Sequence, residues 1–139
     1  MARKNALDML ATVSLFEGLS RRELTAIERM GHEVEFPAGE KIVTENEEGI
    51  GFHLILSGRA KVTVAGRART TLGPGKFFGE LSLIDRGPRT ATVTAETVVK
   101  TLSLVSWDFL PLLDKNPMIS RKIMVELCRR LRTERSFTH

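Results

Sequence analysis

The sequence holds a single cysteine, Cys128, no tyrosine, one tryptophan, three histidines and five prolines among its 139 residues. One thiol can form no intrachain disulfide, so the fold needs no oxidising compartment, and a soluble cytoplasmic protein is expected. His32, His53 and His139 lie far apart in the chain, which gives no support to the metal enzymes that cluster histidine ligands. No nucleophile and base pattern stands out either, so the chain is expected not to be an enzyme and to carry no metal or cofactor. Gly73-Pro74-Gly75 followed by Gly79 has the wrong spacing for a dinucleotide loop, and no βαβ unit surrounds it. No run approaches the ~18 apolar residues of a membrane span. Arg3 and Lys4 precede Asn5 and Asp8 instead of an apolar stretch, so no secretion signal is read.

What is present suits one globular domain over residues 1–139, with 42% hydrophobic residues to build a core. Met1 and the folded character of the first residues lead us to expect a complete chain. The net charge of +4 is concentrated at one end: residues 117–139 carry six basic residues, Arg121, Lys122, Arg129, Arg130, Arg132 and Arg135, against Glu126 and Glu134. The rest of the chain is balanced. A basic terminal helix has three readings, namely a nucleic-acid footprint, a surface for a partner, or a solvated face.

Periodicity divides the chain into helices at 1–31, a β region at 32–105 and helices at 106–139. Ser20-Arg21-Arg22-Glu23 is a capping-box pattern, followed at helical spacing by Leu24, Ile27 and Met30, with Gly31 as the expected stop. A shorter helical piece is expected at 6–12, with Leu15, Phe16 and Leu19 covering the core. The middle alternates short β-branched runs with turns: strands are predicted at 32–36, 41–44, 52–56, 60–64, 67–72, 90–95 and 98–104. The turns are Pro37-Ala38-Gly39, Ser57-Gly58, Ala65-Gly66 and Gly73-Pro74-Gly75. Such a set predicts a mainly β fold with flanking helices, a jelly-roll barrel or sandwich that hides its strand edges and leaves one concave mouth. Pro111 is expected to confine the next helix to a short irregular piece. Asn116-Pro117 reads as N-cap and first position of the last helix, with Ile119, Ile123, Leu127 and Leu131 as its apolar stripe.

One stretch breaks the strand pattern, from Phe78 to Thr92. Gly79 lets the backbone approach a ligand closely, and 80–84 can form a helical turn whose free amides face an anion. Arg89 follows, and a guanidinium there can hold a phosphate bidentately. Glu80 would repel that phosphate, so its place beside an anion site makes sense as an acceptor for a sugar hydroxyl. The bland alternative is that Glu80 and Arg89 are an ion pair closing a loop. Thr90 has its own, as an ordinary β-branched strand residue.

Phe78-Gly79-Glu80-Leu81-Ser82-Leu83, a few variable residues, then Pro88-Arg89-Thr90-Ala91-Thr92 resembles the phosphate-binding cassette of the cyclic-nucleotide-binding domain family, Phe-Gly-Glu-Leu-(Ala/Ser)-Leu then Pro-Arg-(Ala/Ser/Thr)-Ala-Thr. Gly49-Ile50-Gly51-Phe52-His53-Leu54-Ile55-Leu56-Ser57-Gly58 is similar to that family's Gly-x-x-Phe-x-x-Ile-x-x-Gly strand and turn. The family's flanking helices also fall where this chain has its own. The resemblance implies that Glu80 binds the ribose hydroxyl and Arg89 the cyclic phosphate of cAMP or cGMP, cAMP being favoured. It implies further phosphate contacts from the Leu81 and Ser82 amides and from the Thr90 hydroxyl and amide, ligand contacts from Phe78, Gly79 and Ala91, and a wall for the base from Val62 and Val64. The final helix, residues 117–135, would close as a lid, with Arg130 reaching the purine. Where many members carry an acidic residue or small hydroxyl, this chain has Gly51, to which the sequence alone assigns no role.

Transcription factors of this superfamily carry a helix-turn-helix after the lid, and the chain stops at His139, so no direct nucleic-acid binding is expected. A homodimer or a protein partner through the C-terminal helix is the interaction reading. Cys128 is expected to be a small packing residue beside the apolar stripe, and Trp107 to anchor its helix to the barrel rather than stack on a base.

Overall fold

Ser20 starts the helix that its pattern predicts. Its hydroxyl accepts from the Glu23 amide at 3.2 Å while Glu23 Oε1 accepts from the Ser20 amide at 2.8 Å, the reciprocal capping box. In the computed structural model, which describes residues 2–138 and the side chains of residues 6–133, this is helix α2, Arg21–Arg29. It follows α1, Ala2–Leu10, which begins earlier than expected, and a 3-10 turn, Ser14–Phe16. Leu15 and Phe16 are buried as expected. Gly31 does not stop α2 by turning left-handed. It is glycine because a Cβ there would come within 2.7 Å of the Leu102 side chain.

Eight strands follow: β1 His32–Phe36, β2 Lys41–Val43, β3 Gly51–Ser57, β4 Ala60–Val64, β5 Arg67–Leu72, β6 Phe77–Phe78, β7 Thr92–Ala95 and β8 Val99–Val105. They form two four-stranded antiparallel sheets, in the orders β1-β8-β3-β6 and β2-β7-β4-β5, the double-sheet jelly roll. Ile55 and Val99 of one sheet pack on Ala60, Val93 and Ala95 of the other. The opposite face of the first sheet is covered by the helices. There Phe16 meets Phe52 of β3 at a centroid distance of 6.0 Å and Phe109 at 6.2 Å. β6 was not expected, since two residues give periodicity nothing to act on. Its Phe78 and Phe77 pair with His53 and Leu54. β7 begins at Thr92, not at residue 90, so Arg89, Thr90 and Ala91 stand in the loop before it.

The helices after the sheets differ from expectation in ways that have physical causes. Helix α4, Ser106–Lys115, runs through Pro111, which lies on the exposed side, where water can serve the carbonyl that proline leaves without a donor. Asn116 turns its side chain back, its Nδ2 donating to the Leu112 carbonyl at 2.8 Å, so it caps the end of α4. Only its backbone carbonyl serves α5, Pro117–Thr138, by accepting from the amides of Ile119 and Ser120. Ile119 and Ile123 are buried, while Leu131 is exposed, so the apolar stripe is covered only over the first half of the helix. Cys128 is exposed, not packed, and Trp107 is 56% exposed, so it does not anchor α4. Lys122 Nζ meets Glu23 Oε1 at 2.8 Å and ties α5 to α2, holding the Glu23 carboxyl below the usual range. His139, and the side chains of Glu134 and Arg135 in the expected lid, lie outside the described residues. No helix among them is long and apolar enough to cross a membrane.

Candidate functional site

The cassette folds around Gly79, whose φ of +84° a side chain would strain. The helical turn after it, α3 Ser82–Asp85, starts two residues later than the spacing predicts. The Ser82 amide is taken up by the Gly79 carbonyl at 3.1 Å, whereas the Leu81 amide donates to no acceptor among the described residues. α3 ends on Arg86 in the left-handed region, with φ of +52°, which bends the chain toward Pro88. From there the loop is clamped by the segment 46–49, of which sequence patterns mark only Gly49. The Arg89 amide donates to the Glu47 carbonyl and the Asn46 amide to the Arg89 carbonyl, both at 2.8 Å, and the Gly49 amide donates to Gly87 at 3.0 Å.

This clamp turns the Arg89 side chain inward, where it is 9% exposed. Its Nη2 donates to the Gly51 carbonyl at 2.8 Å. Its Nη1 is buried and meets no acceptor among the described residues. Two glycines, Gly79 and Gly49, make room for the guanidinium, and a third, Gly51, for the neighbouring strand. A Cβ on Gly79 would sit 2.3 Å from Nη1, one on Gly49 3.0 Å from Nε, and one on Gly51 2.3 Å from the Leu104 carbonyl oxygen. Gly51 thus has a reason that the sequence did not reveal: only glycine lets β3 start there against β8 and present its carbonyl to Arg89. Burial pushes the Arg89 pKa down, the expected response of a cation that has lost water without gaining a counter-charge. An orphan guanidinium nitrogen in such a setting fits an anion.

A cavity of about 350 Å³ opens at this point, in the range of small-molecule sites. Phe78, Gly79, Glu80, Leu81, Ser82, Arg89, Thr90 and Ala91 all line it, so nearly the whole expected set is gathered in one place. Val62 and Val64 do not line it. They stand on β4, and the valines at the cavity are Val43 and Val93. Thr90 is exposed at its mouth, outside any strand, while Thr92 is structural, its hydroxyl accepting from the Glu45 amide at 2.9 Å. Glu80 and Arg89 are not an ion pair. The partner of Glu80 is Arg130, whose Nη2 lies 3.3 Å from Oε2 and which also donates to the Ser14 hydroxyl. Arg130 therefore does reach the cassette from α5, and what it touches is the carboxylate.

The model of the cyclic nucleotide-binding domain matches residues 33–116, which take in both the cassette and its clamp. The chain belongs to the cyclic nucleotide-binding domain family. The N-terminal domain of a transcriptional regulator from Streptomyces coelicolor superposes with a TM-score of 0.84 at 32% identity, covering 93% of each chain. A CRP-like cAMP-activated global transcriptional regulator of Mycobacterium tuberculosis is 33% identical over 130 residues, 90% of this chain and 58% of that protein. A cyclic nucleotide-gated potassium channel of Mesorhizobium japonicum is 40% identical over 112 residues, 81% of this chain and 31% of the channel. The chain thus spans 58% and 31% of the length of these two curated relatives, and its cyclic nucleotide-binding domain is the shared part.

Behind the cavity wall this cyclic nucleotide-binding domain carries a buried polar chain. The His53 ring lies between Phe36 and Phe78, at centroid distances of 6.0 and 5.1 Å. Its Nδ1 is 2.8 Å from Ser103 Oγ, which is 2.8 Å from Thr101 Oγ1, and the Thr101 hydroxyl donates to the Val34 carbonyl at 3.4 Å. His53, Ser103 and Thr101 are thus joined in one chain of hydrogen bonds that ends at a backbone carbonyl. Burial, with the Arg89 charge adding to it, pushes the His53 pKa down to about 4, so the ring is neutral. Among the described residues no group of three or more His, Cys, Asp or Glu side chains is placed to hold a metal ion.

Proposed function

We propose that this chain, acting as one domain over residues 1–139, binds a 3′,5′-cyclic nucleotide, cAMP in preference to cGMP, and transmits binding through its C-terminal helix. The observation that carries the proposal is Arg89: a buried guanidinium held at one nitrogen by the Gly51 carbonyl, its other terminal nitrogen without a partner among the described residues, on a residue that lines a cavity together with Glu80. In this reading the cyclic phosphate takes Nη1 of Arg89 together with the Leu81 amide and the Thr90 hydroxyl. A charge-assisted pair formed out of water is far stronger than a surface contact. The Glu80 carboxylate accepts the ribose 2′-hydroxyl. The base leaves the cassette toward Val43 and Val93, a shift from the expected Val62 and Val64. The preference for cAMP is supported by the cAMP-activated relative of M. tuberculosis. The output is conformational: α5 closes over the site only to the extent that its closed state binds nucleotide more tightly. We place this binding in the cytoplasm, in keeping with a lone unpaired thiol.

Isolation of the small molecule that co-purifies with the protein, followed by calorimetry with cAMP and cGMP, tests the proposal. Micromolar or tighter binding of cAMP supports it; absence of heat with both nucleotides refutes it.

A second reading concerns the partner of α5. Met118, Met124, Val125 and Leu131 are exposed large apolar residues of this helix, and Cys128 is exposed among them. Four large apolar residues left exposed along one basic helix favour a second copy of the chain or a protein partner over a solvated surface. Light scattering with and without nucleotide decides this, since a monomer in both states removes the dimer.

A further inference from the structure

Arg130 stands on α5, Ser14 opens the 3-10 turn before α2, and Glu80 follows Gly79 in the cassette, three segments separated by 50 and 116 residues in sequence. A single nitrogen joins them. Nη2 of Arg130 carries two hydrogens, one directed to Ser14 Oγ and the other to Glu80 Oε2 at 3.3 Å. With both hydrogens committed, the guanidinium plane cannot rotate. The Ser14 end is a firm post, because the residues next to it, Val13, Leu15 and Phe16, are all buried in the helical core. The Glu80 end is not: it follows a glycine in an irregular loop, and its carboxylate gains orientation only from its partners.

Resting on the cyclic-nucleotide reading above, we infer that Ser14 is a positioning residue for Glu80, acting through Arg130. The bond to Oε2 fixes the carboxylate and leaves Oε1 to accept from a ribose 2′-hydroxyl. Arg130 and the ribose therefore occupy different oxygens of one carboxylate and reinforce each other. The sugar is thereby connected, through the Glu80 carboxylate, to α5 and to the N-terminal turn.

A thermodynamic cycle between the ligand hydroxyl and the protein residues tests this. 3′,5′-cAMP and 2′-deoxy-3′,5′-cAMP are titrated into the unaltered protein, Ser14→Ala and Arg130→Gln, with thermal unfolding to check that each is folded. Ser14 is exposed, so its substitution leaves the core intact. The unaltered protein is expected to prefer the ribonucleotide. Each variant should lose about 3- to 10-fold of that preference, the span of one hydrogen bond, with affinity for the deoxynucleotide nearly unchanged. A ribose-to-deoxyribose ratio that is the same in all three proteins overturns the inference. So does an equal loss for both ligands, which is what a merely structural role gives. An unaltered protein that binds neither nucleotide overturns the underlying reading, a result distinct from the other two.

Discussion

Replacing Arg89 by methionine separates a binding residue from a structural one, because the two roles predict opposite balances of affinity and stability. Arg89 is 9% exposed, makes one side-chain hydrogen bond, from Nη2 to Gly51, and leaves Nη1 buried without an acceptor. The Gly51 bond is donated by a charged group, and its loss costs about 1.5–3 kcal/mol. Against this, methionine removes a buried charge and an unsatisfied donor, a relief of about 1–3 kcal/mol, and its flexible thioether fills much of the same channel. The protein without nucleotide should therefore be about as stable as the unaltered one. Affinity should fall. A cyclic phosphate left partly buried beside the cassette without its counter-charge costs about 2–5 kcal/mol, a loss of about 30- to several thousand-fold. Thermal unfolding without ligand and calorimetry with cAMP read the two quantities on the same preparation. Affinity retained within threefold, together with a large fall in the unfolding temperature, would refute the reasoning and make Arg89 a structural residue.

Three further outcomes are expected. Gly51→Ala places a Cβ 2.3 Å from the Leu104 carbonyl oxygen, so β3 must shift from β8, lowering stability by about 1–3 kcal/mol in urea unfolding and weakening nucleotide binding as the carbonyl that holds Arg89 moves. Ala65→Gly relieves a left-handed alanine, φ of +52°, in the turn between β4 and β5, and should raise Tm by about 2–4 °C in calorimetric scans. His53 has a folded pKa of about 4, below its unfolded value, so the unfolded chain binds the extra proton and stability falls as pH drops through the window from about 6.5 to 4. Denaturant midpoints should report a loss of about 1–2 kcal/mol between pH 7 and pH 5 that His53→Asn, which keeps a hydrogen-bonding group toward Ser103, abolishes.

Much of the molecule was legible before any coordinates. The Ser20 capping box, the alternating runs of the sheets, the glycine turns and the cassette all depend on residues within a few positions of one another. The double-sheet architecture follows from such a string of short strands, and Glu80 and Arg89 stood out because a carboxylate and a guanidinium interrupted a strand pattern beside a glycine. Where local signals conflicted, the expectation failed for identifiable reasons. Pro111 is a helix breaker only where water cannot replace the missing donor, and on the exposed face of α4 it can. Asn116 had two helix ends to choose from, and sequence does not rank them. Thr90 carries strand propensity, but the clamp from 46–49 holds its segment away from the sheet.

The residue types at the site, their order and the turn that presents them were thus determined by sequence alone, since backbone preference and short-range hydrogen bonding act over a few residues. Tertiary structure decided who meets whom. It gave Arg89 the carbonyl of Gly51, 38 residues away, gave Glu80 the guanidinium of Arg130, 50 away, and left one nitrogen of Arg89 buried without a partner. Those pairings depend on strand order and on where α5 docks against the 3-10 turn, which no local pattern encodes.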